Sequence, residues 1–147
     1  YRRAIDILQH HYNVILTDCG TGLMHSAMAG VLDLANTLIL VSSPALDGAQ
    51  SASATLDWLN LHGYDRLAAN AVVVVSSATP KSPVNMDSVV AHFGARTRAV
   101  HVIPYDPHLA EGAVVDIARL HPRTMQAYRE LAATVASDFG QWHKHAR

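Results

Sequence analysis

Tyr12-Asn13-Val14-Ile15-Leu16-Thr17-Asp18-Cys19-Gly20-Thr21-Gly22 joins an apolar run to an aspartate and then to two glycines one residue apart. A carboxylate at the tip of a buried strand, followed by a glycine-bearing turn, is how nucleotide-hydrolysing α/β proteins present an acid to a metal-bound phosphate. The companion motif is missing. No G-x-x-x-x-G-K-[ST] occurs, and neither Lys81 nor Lys144 has the glycines of a phosphate-cradling loop. The stretch therefore predicts the second half of a nucleotide-binding domain, cut after its phosphate loop.

Working outward, three further apolar runs follow: Thr37 to Val41, Ala71 to Val75 and Ala99 to Ile103. With Val14 to Thr17 they are continuous rather than alternating and rich in Val and Ile, which is what strands covered on both faces require. Helical spacing lies between them. Met24, Met28, Val31 and Leu32 mark one helix. Leu56, Trp58 and Leu59 mark a second, closed by Gly63; Asn85 caps a third, through Val89, Val90 and Phe93, which Gly94 ends. A last helix begins near Pro122, with Met125, Tyr128, Leu131, Ala132 and Val135 on its buried stripe. Alternating strands and helices predict parallel pairing with right-handed crossovers, hence a three-layer α/β domain over residues 1–147 with a mostly parallel sheet of about four strands.

Composition agrees with a single core. The chain has 147 residues, half of them hydrophobic, and a chain of that size buries roughly two thirds of its unfolded surface. Eleven basic against twelve acidic residues give no global attraction to nucleic acid or anionic lipid. Cys19 is the only cysteine, so no internal disulfide forms and a reducing, cytoplasmic setting is expected. No apolar run approaches the roughly 20 residues of a membrane span, and the N-terminus carries no signal-peptide pattern. Tyr1 standing in place of an initiator methionine suggests a chain that begins mid-protein.

In a parallel sheet the strand C-termini share one edge, so Asp18-Cys19-Gly20, Ser42-Ser43-Pro44, Ser76-Ser77 and Pro104-Tyr105-Asp106-Pro107 are expected to converge. In order and wording these segments resemble MinD/ParA-type ATPases, the deviant-Walker P-loop family. Asp18-Cys19-Gly20-Thr21-Gly22 is similar to its combined Walker B and switch II segment, and Leu34 to Pro44 to its "LADEAIVVTTPE" stretch. Ile103-Pro104-Tyr105-Asp106-Pro107 is similar to its nucleotide-base loop, and Ala127 to Ala132 to its last helix. Within that family the chain looks closest to the MinD-like ATPases attached to mycobacterial type VII (ESX) secretion systems.

The resemblance implies ATP and Mg²⁺ as cofactors of the intact protein. Asp18 would join the metal shell and act in catalysis, and the Gly22 N–H would meet the terminal phosphate. Gly20 would let the switch approach closely, Ser76 would stand where relatives place an adenine-reading asparagine, and Pro104, Tyr105 and Asp106 would border the base or ribose. A serine hydroxyl cannot make the asparagine's two-point contact. The implied function is an ATP-driven switch in type VII secretion or partitioning, with a homodimer and secretion-system proteins as partners, inactive in this chain without the phosphate loop. The alternative from another class is a non-catalytic interaction domain that docks secretion-machinery partners.

Other constellations carry less. Cys19 is a lone strand-end cysteine rather than a nucleophile with its base. His10-His11 and the tail His143-Lys144-His145 lack a second ligand set at zinc spacing. Arg96, Arg98, Arg119, Arg123 and Arg129 are scattered among acids and read as ordinary surface. The final helix has too few basic residues on its polar side for a membrane-targeting tail.

Overall fold

The computed structural model describes residues 2–20, 26–77, 79–81, 84–112 and 114–139. The chain divides into two compact units, residues 1–36 and 37–147. The first contains helix α1 (Arg2–Leu8) and helix α2 (Ser26–Leu32), and residues 9–20 after α1 form neither helix nor strand. Arg2 pairs with Asp33 at 2.5 Å, an exposed contact of the kind worth about 0–1 kcal/mol.

The expected strand over Val14 to Thr17 does not form. Val14 is 48% and Leu16 80% exposed, and an apolar run becomes a strand only where a neighbouring ladder takes its N–H and C=O groups and another layer covers its side chains. The sheet accordingly has three strands among the described residues, against the four expected.

The second unit runs β1 (Ile39–Ser42), α3 (Leu46–Leu61), α4 (Asp65–Ala69), β2 (Val72–Ser76), α5 (Met86–Gly94), β3 (Ala99–Ile103), α6 (Pro107–Ala110), a 3₁₀ turn (Ile117–Arg119) and α7 (Pro122–Ala136). The three strands pair in parallel in the order β1-β2-β3, so both crossovers run through helices as expected. Ile39, Val72 and Ala99 share one register level, and Val41, Val74 and His101 another. These six point to the same face. Val72, Val73, Val74 and Val75 are all buried, so β2 is covered on both faces. Such a strand can be uniformly apolar because neither side meets water.

Local chemistry explains where the helices stop and start. Asn85 Oδ1 accepts the N–H groups of Asp87 and Ser88 at 2.9 and 3.4 Å, capping α5 as its sequence predicts. Gly63, with φ of +82°, follows α3 and takes the left-handed conformation that ends it. Gly48, in the first turn of α3, lies so close to Ser43 that a Cβ would stand 2.9 Å from its carbonyl oxygen. Only glycine lets β1 turn this tightly into α3.

Helix α3 is tied to α5 by a Ser53–His92 hydrogen bond of 2.8 Å and to the turn after α5 by an Asp57–Arg96 ion pair. Phe93 of α5 and Leu56 and Leu59 of α3 are at most 1% exposed; each such side chain contributes roughly 1.5–3 kcal/mol of transfer free energy. Helix α7 lies on the His101 face, where His101 Nε2 meets Thr134 Oγ1 at 2.8 Å, Arg98 donates to the Thr134 carbonyl at 3.2 Å, and Arg98 pairs with Asp138. Its inward stripe differs from the expected one: Thr124 is fully buried and Met125, Leu131, Thr134 and Val135 are half-buried, while Tyr128 and Ala132 are exposed.

Candidate functional site: the C-terminal edge of the sheet and the β1 side

Parallel strands β2 and β3 deliver Ser76-Ser77 and Pro104-Tyr105 to one edge, as the sequence predicts. The Ser77 N–H extends the ladder by donating to the Ile103 carbonyl at 3.1 Å. Beyond it lies an open groove of about 270 Å³, lined by Ser77, Thr79, Pro80, Pro104, Tyr105 and Arg123. Thr79 Oγ1 donates to the Lys81 carbonyl at 3.0 Å and Arg123 Nη2 to the Tyr105 carbonyl at 3.4 Å.

Asp106, next to the groove, turns inward. Its Oδ1 accepts the His108 N–H at 3.0 Å and its Oδ2 the His121 N–H at 2.9 Å, so one carboxylate caps α6 and anchors the start of α7. It is 2% exposed. Burial opposes its ionisation. The His121 N–H, the Thr124 hydroxyl, the His108 N–H and the charge on His121 outweigh that penalty and hold the carboxyl below the usual aspartate range. Thr124 Oγ1 meets no strict hydrogen-bond geometry, so its influence on Asp106 is electrostatic proximity more than a formed bond.

A second polar link follows. His108 Nε2 accepts the Asp116 N–H at 2.8 Å, which places the ring proton on Nδ1, 3.2 Å from Glu111 Oε2. Glu111 Oε1 takes Arg119 Nη2 at 2.9 Å. The His108 and Arg119 contacts lower the Glu111 carboxyl against a small opposing effect of burial. Every member of this chain has a local structural partner, so the cluster holds the 106–121 loop in place.

The residues matched to a nucleotide site fall as follows. Asp18 is exposed and its Oδ1 accepts the Gly20 N–H at 2.9 Å. Gly20 has φ of +62°, and the pair closes a local turn. Gly22 lies outside the described residues, as does Met24. Asp18 and Gly20 belong to the first unit; Ser76, Pro104, Tyr105 and Asp106 belong to the second. Pro104 and Tyr105 line the groove, Ser76 is half-buried at the β2 terminus, and Asp106 is spent on backbone caps. Among the described residues no three His, Cys, Asp or Glu side chains gather where a metal ion could be held.

Sequence reading grouped Arg123 with ordinary surface arginines and passed over Thr79 and Pro80. A signal was present for Arg123. It follows the Pro122 that opens the last helix, and a helix returning from the C-terminal edge of a parallel sheet begins at that edge.

A different surface lies along β1. Ile39 is 37% and Val41 67% exposed, although their register partners Val72 and Val74 are buried. Helix α7 packs on this face against β3. Residues 34–46 contain no charged side chain, so this edge lacks the lysines and acids that commonly keep edge strands from pairing with other chains. No described helix is long and apolar enough to cross a membrane.

Comparison with known proteins corrects the ATPase assignment. The chain is 37% identical over 137 residues to the ESX-1 secretion-associated protein EspI of Mycobacterium tuberculosis, in both the CDC 1551 / Oshkosh and the ATCC 25618 / H37Rv strains. The match covers 91% of this chain and 21% of the relative, so the chain spans about a fifth of the length of the curated relatives it matches. No protein-family model matches the chain, and no solved structure does. The similarity therefore runs to a secretion-associated protein and not to a MinD/ParA-type ATPase, and the ATP-driven switch built on that resemblance falls with it; the type VII secretion link expected from the sequence is supported.

Proposed function

We propose that this chain is a non-catalytic interaction domain serving a type VII secretion machine, and that it docks a secretion partner along β1. The observation that carries the reading is the open half-face at Ile39 and Val41 beside an uncharged edge strand. An extended segment added there gains main-chain hydrogen bonds from the edge and covers the two apolar side chains at once. Similarity to a protein named for association with ESX-1 secretion supports the setting. Secretion-machinery proteins are the expected partners, met on the cytoplasmic side.

Val41→Lys places a charge on the exposed face without touching the buried side of the sheet. Introduced into the protein in its host, it is expected to reduce export by the secretion system while the thermal midpoint of the purified chain stays within a degree or two, since exposed substitutions alter stability by roughly 0.5 kcal/mol or less. Unchanged export in a stably folded Val41→Lys protein would dismiss the docking role of β1.

A further inference from the structure

The groove at the C-terminal edge has a chemistry of its own. Its lining combines one guanidinium, Arg123, two hydroxyls, Ser77 and Thr79, and the apolar surfaces of Pro80, Pro104 and Tyr105. No acidic side chain lines it among the described residues, and the nearest carboxylate in sequence, Asp106, faces inward with each oxygen on a backbone N–H. Arg123 is exposed and spends one N–H on the Tyr105 carbonyl, which leaves its other donors for a ligand. Thr79 donates its proton to Lys81, so its hydroxyl oxygen is left as an acceptor, whereas the Ser77 hydroxyl can serve as a second donor.

We infer that this groove binds a short acidic stretch of an extended peptide, with a side-chain carboxylate on Arg123 and Ser77 and a neighbouring apolar side chain against Pro80, Pro104 and Tyr105. Two features favour a peptide over a small anion or an enclosed metabolite. An inorganic phosphate would use the charge and leave the proline and tyrosine surfaces bare. Binding cavities for small molecules typically measure about 300–1,000 Å³ and enclose most of the ligand; this groove is smaller, at about 270 Å³, and open along one side. The planar Arg123 guanidinium at one edge of the groove can then take the peptide's carboxylate in two-point geometry. No β1 residue lines the groove among the described residues, and either site can fail without the other.

Nuclear magnetic resonance of the ¹⁵N-labelled chain tests this with three probes: acetyl-Glu-Leu-Glu-Leu-amide, its glutamine counterpart acetyl-Gln-Leu-Gln-Leu-amide, and inorganic phosphate. The acidic peptide is expected to shift the amides of Ser77, Thr79 and Tyr105, and to bind at least about tenfold more tightly than the glutamine peptide, the scale of one charge-assisted pair. Arg123→Gln should lose that tenfold preference, and Arg123→Lys, which keeps the charge without the fork, should recover part of it. Equal binding of the two peptides, shifts confined to Ile39–Ser42, or an undiminished preference in folded Arg123→Gln would each overturn the inference. Phosphate shifting the same amides as tightly as the acidic peptide would also overturn it, by reducing the groove to a plain anion site.

Discussion

Val14-Ile15-Leu16-Thr17 and Val72-Val73-Val74-Val75 are two apolar quartets of similar composition, and they fold differently. The second is the centre of a parallel sheet with ladders on both sides and is at most 4% exposed at every position. The first has no regular structure, and three of its four residues, Val14, Leu16 and Thr17, are exposed. Strand propensity measures how well a side chain suits a pleated, covered surface, and cover is supplied by other parts of the chain. Between these extremes lies β1, paired on one side and open on the other. The same local sequence signal thus yields a core strand, an edge strand or no strand, according to how many neighbours arrive.

The sharpest way to break the comparison is a buried charge. Val73→Asp puts a carboxylate at a position with no exposure, where an unpaired charge costs several kcal/mol. The expected result is loss of the cooperative thermal transition. Leu16→Asp, on a side chain that is 80% exposed, should change stability by no more than about 0.5 kcal/mol. Comparable losses in the two variants would show that Val14 to Thr17 is covered in solution and that the contrast is false. Amide hydrogen exchange reads the same distinction without substitution: the amides of Val73, Val74 and Val75 should exchange only through global opening, and those of Ile15 and Leu16 at rates close to an unstructured peptide.

A smaller effect probes how β1 is joined to its covering helix. Gly48→Ala improves helix propensity on paper, yet the added Cβ would stand 2.9 Å from the Ser43 carbonyl oxygen and nearer still to its hydroxyl. The hydroxyl can rotate away; the carbonyl cannot. The substitution is expected to destabilise the second unit by roughly 1–3 kcal/mol, as overpacked sites do. A stability gain in chemical denaturation would mean that the turn from β1 relaxes freely and that the edge strand is held less firmly than its geometry indicates. Asn85→Ala is expected to cost about 1 kcal/mol by removing the α5 cap, with no change at β1.

Much of the second unit was legible from residue patterns. The β3 run matched its strand residue for residue, β1 and β2 were placed within two residues, and the Asn85 cap and the Gly63 turn followed from side-chain chemistry and positive φ. These features are local, and local rules decide them. Convergence of Ser77, Pro104 and Tyr105 at one edge was also readable, because parallel topology alone dictates it. The placing of Asp18 in a metal shell and of Asp106 beside a base or ribose came from spacing shared with an ATPase family. Spacing does not report where a carboxylate points. Asp106 sits one residue before Pro107, a helix-opening pattern in which an aspartate caps the backbone, and its oxygens do that. Short motifs of Asp, Gly and Pro are common turn chemistry, so their order along a chain can imitate a family to which the longer similarity does not lead.

The smallest expected effect concerns pH and separates the covered centre from the loop that caps it. Asp106 and Glu111 are both held below their usual ranges, Asp106 by the His121 N–H, the Thr124 hydroxyl and the His108 N–H acting against burial, and Glu111 by His108 and Arg119. A carboxyl whose value is lowered on folding contributes stability above the value it has in the unfolded chain, and that contribution disappears as pH falls through the lowered folded value. The thermal midpoint should therefore stay level from pH 7 to about 5 and decline below about 4, where unfolded carboxyls begin to take up protons. Asp106→Asn keeps the shape and one acceptor but cannot ionise. Its midpoint should lie below that of the parent chain at pH 7 and converge with it in acid. Two curves that fall in parallel would mean that the Asp106 charge adds nothing beyond its hydrogen bonds. Hydrogen exchange at pH 4 locates the change: the amides of His108, Asp116 and His121, which sit on this polar network, should lose protection before those of Val73 to Val75. The β2 strand has no titratable side chain, and its stability depends on cover that acid does not remove.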